Sequence, residues 1–435
     1  MCYNPDNEHN ICEVKALAKY YERLIEKSIE RKMKSSGAVV VEGPKFCGKT
    51  TTALRYAKSN IRLNTSHSIE LAKLETRNVL KGETPRVIDE WQTVPEIFNE
   101  VKGWIDENPQ FGQFILTGSS TPADKSKIYH SGAGRITTVK MRPMSLTESK
   151  DSKCSVSLTE LFENPNADVF DENADSSLEK IAHCLCRGGW PLSVLAGKDI
   201  ALDVTRNYYE GLFNFEYSEN EKFRNKNSEL MRMILKSYAR NISTQAPLKT
   251  IQSDIISSNN RTLDNKTLVD YLDALRDLFI IEDISAWNPN LRSKAAIRTT
   301  PTRHFVDTSI ATSVLGITPS DLMNDLQSFG LFFEDMAVRD LVIYSSYLGA
   351  SVKHYRDSSG LECDAIIHFE NGKWAAVEIK LGGEKLIQEG AENLEKLKKV
   401  VNNDSLAFRM ILTATGSAYR RKDGIYVVPI NCLTV

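Results

Sequence analysis

Long apolar runs, paired cysteines, clustered histidines and a charge excess of either sign are all missing from this 435-residue chain. Each absence removes a class of protein. No segment approaches the roughly 18 consecutive apolar residues of a membrane helix, and Met1–Asn10 is polar and acidic where a secretory leader would be apolar. No membrane association is therefore expected. The eight cysteines (Cys2, Cys12, Cys47, Cys154, Cys184, Cys186, Cys363 and Cys432) form no CxxC pair, and only Cys184 and Cys186 stand close together. Free thiols in a reducing cytoplasm are expected, and no zinc site. His9, His67, His130, His183, His304, His354 and His368 are dispersed, without metal or nucleophile spacing. A net charge of −2 provides no overall field to gather nucleic acid, so such a contact must come from a local patch. Repeats and low-complexity tracts are also lacking. What is present is ordinary for a globular protein, 41% hydrophobic and 26% charged. The length exceeds what one hydrophobic core serves, which implies two to four domains.

Residues 14–36 place Val14, Leu17, Tyr21, Leu24, Ile25 and Ile29 at helical spacing. The run GAVVVEG (37–43) reads as a buried parallel strand entering a glycine, and helical character resumes over 50–59. Two more apolar strands, Arg86–Asp89 and Gln113–Thr117, flank a helix over 94–107, and this alternation predicts a parallel α/β sheet. Residues 146–177 are polar and acidic, and 178–217 read as helical with a break at Gly188-Gly189-Trp190-Pro191. Helices are expected over 228–240, 248–257 and 267–278, followed by a short hairpin, the order of a winged helix-turn-helix. The remainder alternates a helix over 333–348, strands near 352–357, 363–369, 374–380, 408–413 and 425–428, and a helix over 384–402.

The sharpest motif is Gly43-Pro44-Lys45-Phe46-Cys47-Gly48-Lys49-Thr50, followed by Thr51, which fits GxxxxGK[ST]. Glycines let such a loop wrap its N–H groups around phosphates, and the helix that follows adds its positive N-terminal end. Lys49 would reach the β- and γ-phosphates of ATP, and the Thr50 hydroxyl would ligate Mg²⁺. Asp89, in Val87-Ile88-Asp89-Glu90 at a strand end, would join the Mg²⁺ shell, while Glu90 would polarise the attacking water. Phe114–Ser119 reaches the same edge, so Thr117 or Ser119 could bond the γ-phosphate or the water; a plain strand-to-turn transition would look the same. Arg135, after the glycine turn Ser131-Gly132-Ala133-Gly134, is a candidate arginine finger, with an exposed surface arginine as the alternative.

VVVEGPKFCGKTTTA, VIDEWQTVP, FILTGSS and SGAGRITTVKMRPMSLTE follow one another at compatible spacing. Together they resemble the prokaryotic AAA-type P-loop ATPases that carry a C-terminal domain of unknown function. Lys45 stands where that family usually has arginine, and Trp91 replaces an aliphatic residue; neither change removes a phosphate or metal contact.

The C-terminal part holds a second constellation. Glu378 and Lys380 are two apart on one expected strand and share a face, while Asp364 lies on the strand before and Glu334 on a helix. An Asp on one strand and Glu-x-Lys on the next is the arrangement of PD-(D/E)xK nucleases, where carboxylates hold Mg²⁺ and lysine activates water. A solvated strand face of alternating charges is the plainer alternative. GLECDAII and AVEIK extend the family resemblance, which implies a restriction-endonuclease-like fold that serves either as a nuclease or as a binding platform. In the middle, 285–305 holds Arg292, Lys294, Arg298 and Arg303 with no acid, candidate phosphate contacts or simply solubilising charge.

The fold class expected is therefore α/β: a P-loop ATPase domain (1–145), a helical lid (146–225), a winged helix (226–306) and a nuclease-like domain (307–435). The function expected is ATP binding and hydrolysis with Mg²⁺, coupled to DNA binding by the C-terminal parts. An ATP-gated DNase and a switch that recruits a protein partner are the alternatives, and a homo-oligomer would let Arg135 act across subunits.

Overall fold

In the computed structural model, residues 20–119, 132–172, 177–214, 226–259, 263–289, 300–401 and 404–435 are described. The first turns of the expected 14–36 helix lie outside them, as do Arg292, Lys294 and Arg298, together with Cys2, Cys12, His9 and His130.

Strands β1 (Ala38–Glu42), β2 (Ser59–Arg62), β3 (Arg86–Asp89), β4 (Phe114–Gly118) and β5 (Ile136–Lys140) form one sheet in the order β2-β3-β4-β1-β5. Every pairing in it is parallel. The central strands are buried on both faces, which is why they read as continuous apolar runs. Val39, Val41, Val87 and Ile115 face one core, and Ala38, Val40, Ile88 and Leu116 face another. Register places Glu42, Asp89, Thr117 and Lys140 at one edge of the sheet. The helix expected over 50–59 spans only Lys49–Leu54, because Ser59–Arg62 turns away to pair with β3 as the edge strand. Four residues of mixed polarity carry too little pattern to reveal that strand.

The C-terminal sheet is larger. Strands β8 (Ala350–Arg356), β9 (Glu362–Phe369) and β10 (Trp374–Lys380) pair antiparallel, and β11 (Leu406–Thr413) joins β10 in parallel. Along β10, Ala375, Val377 and Ile379 enter the core shared with the helix Leu326–Leu348. Trp374 and Ala376 face the opposite core, with Leu394 and Leu397 of the helix Glu384–Val401. The alternation is the two-residue period of a strand covered on both sides.

Residues 146–172 do not stay with the helices that follow them. Strand β6 (Val156–Ser157) pairs with the C-terminal Leu433–Thr434, and β7 (Phe170–Asp171) joins the C-terminal sheet through β12 (Ala418–Arg420). Between them Phe162 packs edge-on against Phe369 and Phe408, with ring centroids 4.8 Å away in both cases. Two-residue strands leave no periodic signal, so only the fold reveals this excursion.

The middle region holds helices Ser228–Arg240, Leu248–Asn259 and Asn265–Asp277. Antiparallel bridges Ile281↔Phe305 and Ile284↔Thr302 follow, and no longer ladder joins these segments among the described residues. One contiguous apolar core includes Val39 of β1, Tyr238 of the middle region and Phe333 and Tyr344 of the long C-terminal helix. Among the described residues, no helix is long and apolar enough to cross a membrane.

Candidate functional site

The loop between β1 and the Lys49–Leu54 helix is shaped by backbone geometry that its residues dictate. Gly43 has φ +153°, and a Cβ there would stand 2.0 Å from the Met141 carbonyl oxygen, so only glycine fits. Gly48 caps the helix at φ +104°, and Phe46 adopts φ +61° with its ring largely exposed. The Lys49 ammonium is buried and donates to the carbonyls of Gly43, at 2.9 Å, and Pro44, at 2.7 Å. It is thus held by its own loop, within reach of the space that phosphates occupy in a P-loop.

Asp89 gathers the rest of this edge. Its Oδ1 accepts from Thr50 Oγ1 at 2.8 Å and also from Thr117 Oγ1. A hydroxyl and a carboxylate side by side suit Mg²⁺, which takes few protein ligands and keeps its other positions for phosphate and water. Glu90 sits in the left-handed region at φ +60° and accepts from Ser119 Oγ at 3.1 Å and from Gln92. The expected set Lys49, Thr50, Asp89, Glu90 and Thr117 therefore meets at one edge, with Ser119 bonding Glu90.

Arg135 does not join them. It precedes β5, its carbonyl accepts from the Ala38 amide, and its guanidinium bonds Asp106 at 2.7 Å. All strands run the same way, so this is the edge opposite the loop. Five residues of strand, about 16 Å, separate it from the phosphate site of its own chain. Glycine-arginine spacing does not reveal which end of a strand an arginine occupies. Arg135→Ala is expected to leave ATP turnover within about twofold of the parent, the usual range for an exposed ion pair of small energetic worth. Steady-state assays across protein concentrations check this; a large loss seen only where the chain self-associates would place Arg135 at a neighbour's site.

Residues that sequence reading missed surround the loop instead. Arg23 Nη1 donates to the Cys47 carbonyl at 2.7 Å, and Tyr20 OH lies 3.2 Å from Thr52 Oγ1. Pro191 Cγ stands 3.7 Å from where a Cβ of Gly48 would be. None belongs to a contiguous motif; the Gly-Gly-Trp-Pro break was the one visible signal.

The middle region is tied to this domain by Glu282. Its carboxylate accepts from Lys140 Nζ at 2.8 Å and from Arg142 Nε and Nη2, both at 2.7 Å. Burial pushes the carboxyl pKa up, but Arg142 and Lys140 outweigh it and hold it well below the usual range. A depressed folded pKa contributes stability above the unfolded value and loses it as pH falls through the folded one. Glu282→Gln is accordingly expected to cost about 1–3 kcal/mol at neutral pH. The deficit should shrink only below about pH 4.3, which urea midpoints measured between pH 7 and pH 3 would check.

In the C-terminal sheet Asp364, Glu378 and Lys380 meet as expected. Lys380 Nζ lies 2.8 Å from Glu378 Oε2 and 3.1 Å from Asp364 Oδ2. Burial lowers the Lys380 pKa, but Asp364 and Glu378 more than reverse this and keep the ammonium protonated. Glu378 is pushed up to about 7 by burial and by Asp364, and it accepts from Asn393 at 2.7 Å. Glu334 faces the same carboxylates and is raised well above the ordinary range, by burial first and then by Asp364. Glu334 and Asp364 also line a cavity of about 260 Å³ walled by Ser243–Gln245 and Thr302. The expected Mg²⁺ set is nonetheless not assembled. No group of three or more His, Cys, Asp or Glu among the described residues is placed to hold a metal ion. The Lys380 ammonium lies between Asp364 and Glu378, and Glu334 reaches the cavity from the helix.

Arg303 is also not the phosphate contact its sequence context suggests. It is 3% exposed and bonds the Ala246 carbonyl and Asp283, both at 3.1 Å. A groove of about 790 Å³ beside it, between the helices Leu248–Asn259 and Asn265–Asp277, is lined by Lys249, Gln252 and Asn265.

Three family models match the chain: an AAA domain over residues 35–150, a domain of unknown function (DUF8612) over 178–321, and a second (DUF4143) over 329–433. No curated protein matches it. Among solved structures, AMPPCP-bound DnaA from Aquifex aeolicus is 15% identical, covering 58% of this chain and 86% of its own, with a TM-score of 0.25. A signal transduction ATPase with numerous domains and a tetratricopeptide repeat sensor, from Pyrococcus horikoshii, is also 15% identical. It covers 76% of this chain and 49% of its own length, again with a TM-score of 0.25. Likeness that slight carries no conclusion about this chain. The AAA match does, since it spans the loop at Gly43–Thr50 together with Asp89, Glu90 and Thr117: residues 35–150 of the chain match an AAA domain.

Proposed function

We propose that this chain is a Mg²⁺-dependent ATPase that passes its nucleotide state to a nucleic-acid-binding C-terminal domain. The observation that carries the first part is the convergence of Lys49, Thr50, Asp89 and Glu90 on one edge of the sheet. On binding ATP, Lys49 would leave the Gly43 and Pro44 carbonyls for the β- and γ-phosphates. Thr50 and Asp89 would hold Mg²⁺, which neutralises charge on the phosphate oxygens. Glu90 accepts a proton from the attacking water as its oxygen bonds the γ-phosphorus. The bond from that phosphorus to the bridging oxygen breaks, and its electron pair leaves with ADP.

The second part rests on the order helix, three antiparallel strands, helix, parallel strand over residues 326–413, with Asp364, Glu378 and Lys380 at one place. That layout supports a restriction-endonuclease-like reading. Binding is the first reading, with Asp364, Glu378 and Lys380 gathered on one face of the sheet. Cutting is the second reading, carried by Glu334 and Asp364 lining one cavity beside Lys380.

The test is steady-state ATP turnover with Mg²⁺, with and without duplex or single-stranded DNA, alongside DNA binding at low salt. Turnover that rises with DNA supports the proposal. Absence of any DNA or RNA binding, with or without ATP, would overturn its second part and leave a protein partner as the receiver. Persistence of supercoiled and linear DNA under Mg²⁺ or Mn²⁺ would rule out the DNase.

A further inference from the structure

The three matched domains meet at a chain of buried charges. Arg23, 5% exposed, uses each guanidinium nitrogen. Nη1 donates to the Cys47 carbonyl inside the nucleotide loop, Nη2 to the Arg142 carbonyl, both at 2.7 Å, and Nε to Glu148 at 3.0 Å. The other Glu148 oxygen accepts from the Ser145 amide at 2.8 Å. The next residue, Leu146, donates its amide to Asp340 Oδ2 at 2.9 Å, and Thr147 Oγ1 lies 2.9 Å from Tyr344 OH. Asp340 and Tyr344 belong to the helix Leu326–Leu348, which also carries Glu334. From Asp340 the path continues through Arg339, at 2.8 Å, to Asp307, which accepts from the Gly189 amide two residues before Pro191.

We propose that Arg23 positions the nucleotide loop, and that Glu148 and Asp340 carry the loop's state from it to the C-terminal helix. This rests on the ATPase reading. The Lys49 ammonium now occupies two loop carbonyls, so drawing it away to phosphate frees both carbonyls in the loop that Arg23 grips. If the loop then resettles, the Cys47 carbonyl draws Arg23 with it, and Arg23 moves with Glu148, since a buried ion separated from its partner is costly. Packed polar networks of this kind respond as units rather than by gradual deformation. Proximity alone does not establish coupling, so the test must measure it.

The experiment is hydrogen exchange of residues 326–348 in the full chain, with and without a non-hydrolysable ATP analogue and Mg²⁺. Nucleotide affinity is measured in parallel by calorimetry on the parent, on Asp340→Asn and on Arg23→Gln. In the parent, the analogue is expected to change exchange in this helix by at least about threefold. Asp340→Asn keeps its volume and should bind nucleotide within about threefold of the parent while losing most of that change. Arg23→Gln should lower kcat by about 10- to 100-fold through a misplaced loop, with Arg23→Lys in between. Parent protein that binds nucleotide without any response in 326–348, or Asp340→Asn that keeps the response, overturns the proposal and leaves the ATPase standing. Failure of the parent to bind nucleotide overturns the ATPase reading and this proposal with it. Thermal melts of each variant show whether it is folded.

Discussion

Replacing Lys49 with alanine is expected to reduce ATP turnover by at least about 10³-fold, the scale of a cation withdrawn from a phosphoryl-transfer site. The fold should survive the change. Among the described residues, Lys49 bonds only its own loop, at Gly43 and Pro44, so its removal frees two carbonyls and leaves no unpaired buried charge. Circular dichroism and melting of the variant should match the parent closely, while nucleotide affinity and turnover collapse. Turnover retained at more than a tenth of the parent would mean that the γ-phosphate is not held by this loop.

Arg339→Met is expected to have the largest effect on stability. Arg339 is 5% exposed and lies between two fully buried carboxylates, Asp307 at 2.7 Å and Asp340 at 2.8 Å. Burial raises the pKa of Asp340, and Arg339 offsets only part of that rise. Without the guanidinium both acids must stay buried unpaired or take up protons, a cost of about 3–5 kcal/mol for a broken buried pair. An unfolding free energy from urea titration lowered by that amount, with part of the loss restored by adding Asp307→Asn and Asp340→Asn, would confirm the account. A midpoint unchanged by Arg339→Met would show that water already reaches these acids.

The nucleotide site was legible because its chemistry is contiguous. The loop lies within eight residues, and Asp89 and Thr117 close strands whose apolar runs announce them. Asp364, Glu378 and Lys380 were legible for a related reason: the two-residue period of a strand fixes which residues share a face. What failed was direction and distance. Arg135 looks the same in sequence whether it begins or ends a strand, and Arg303 gives no sign that Asp283 is waiting for it. Arg23 and Glu148 are 125 residues apart and carry no motif, so only the packed fold brings them together. The seat of Lys380 between two carboxylates was likewise invisible, since spacing brings groups together without saying which of them pair.

The excursion that leaves β6, Phe162 and β7 in the C-terminal sheet bears on how the chain reaches this fold. The N-terminal sheet is built from one stretch, 38–140, and its loops close at modest entropic cost. The C-terminal sheet must instead recapture a segment more than 200 residues upstream, and closing a loop that long costs more and proceeds slowly. The N-terminal sheet should therefore acquire protection first, with Phe162 exposed until Phe369 and Phe408 arrive. During that interval an open strand edge and a bare aromatic ring sit side by side, the combination most prone to aggregation. In refolding, yield should fall with protein concentration at this late docking step, while formation of the nucleotide-binding sheet remains insensitive to it.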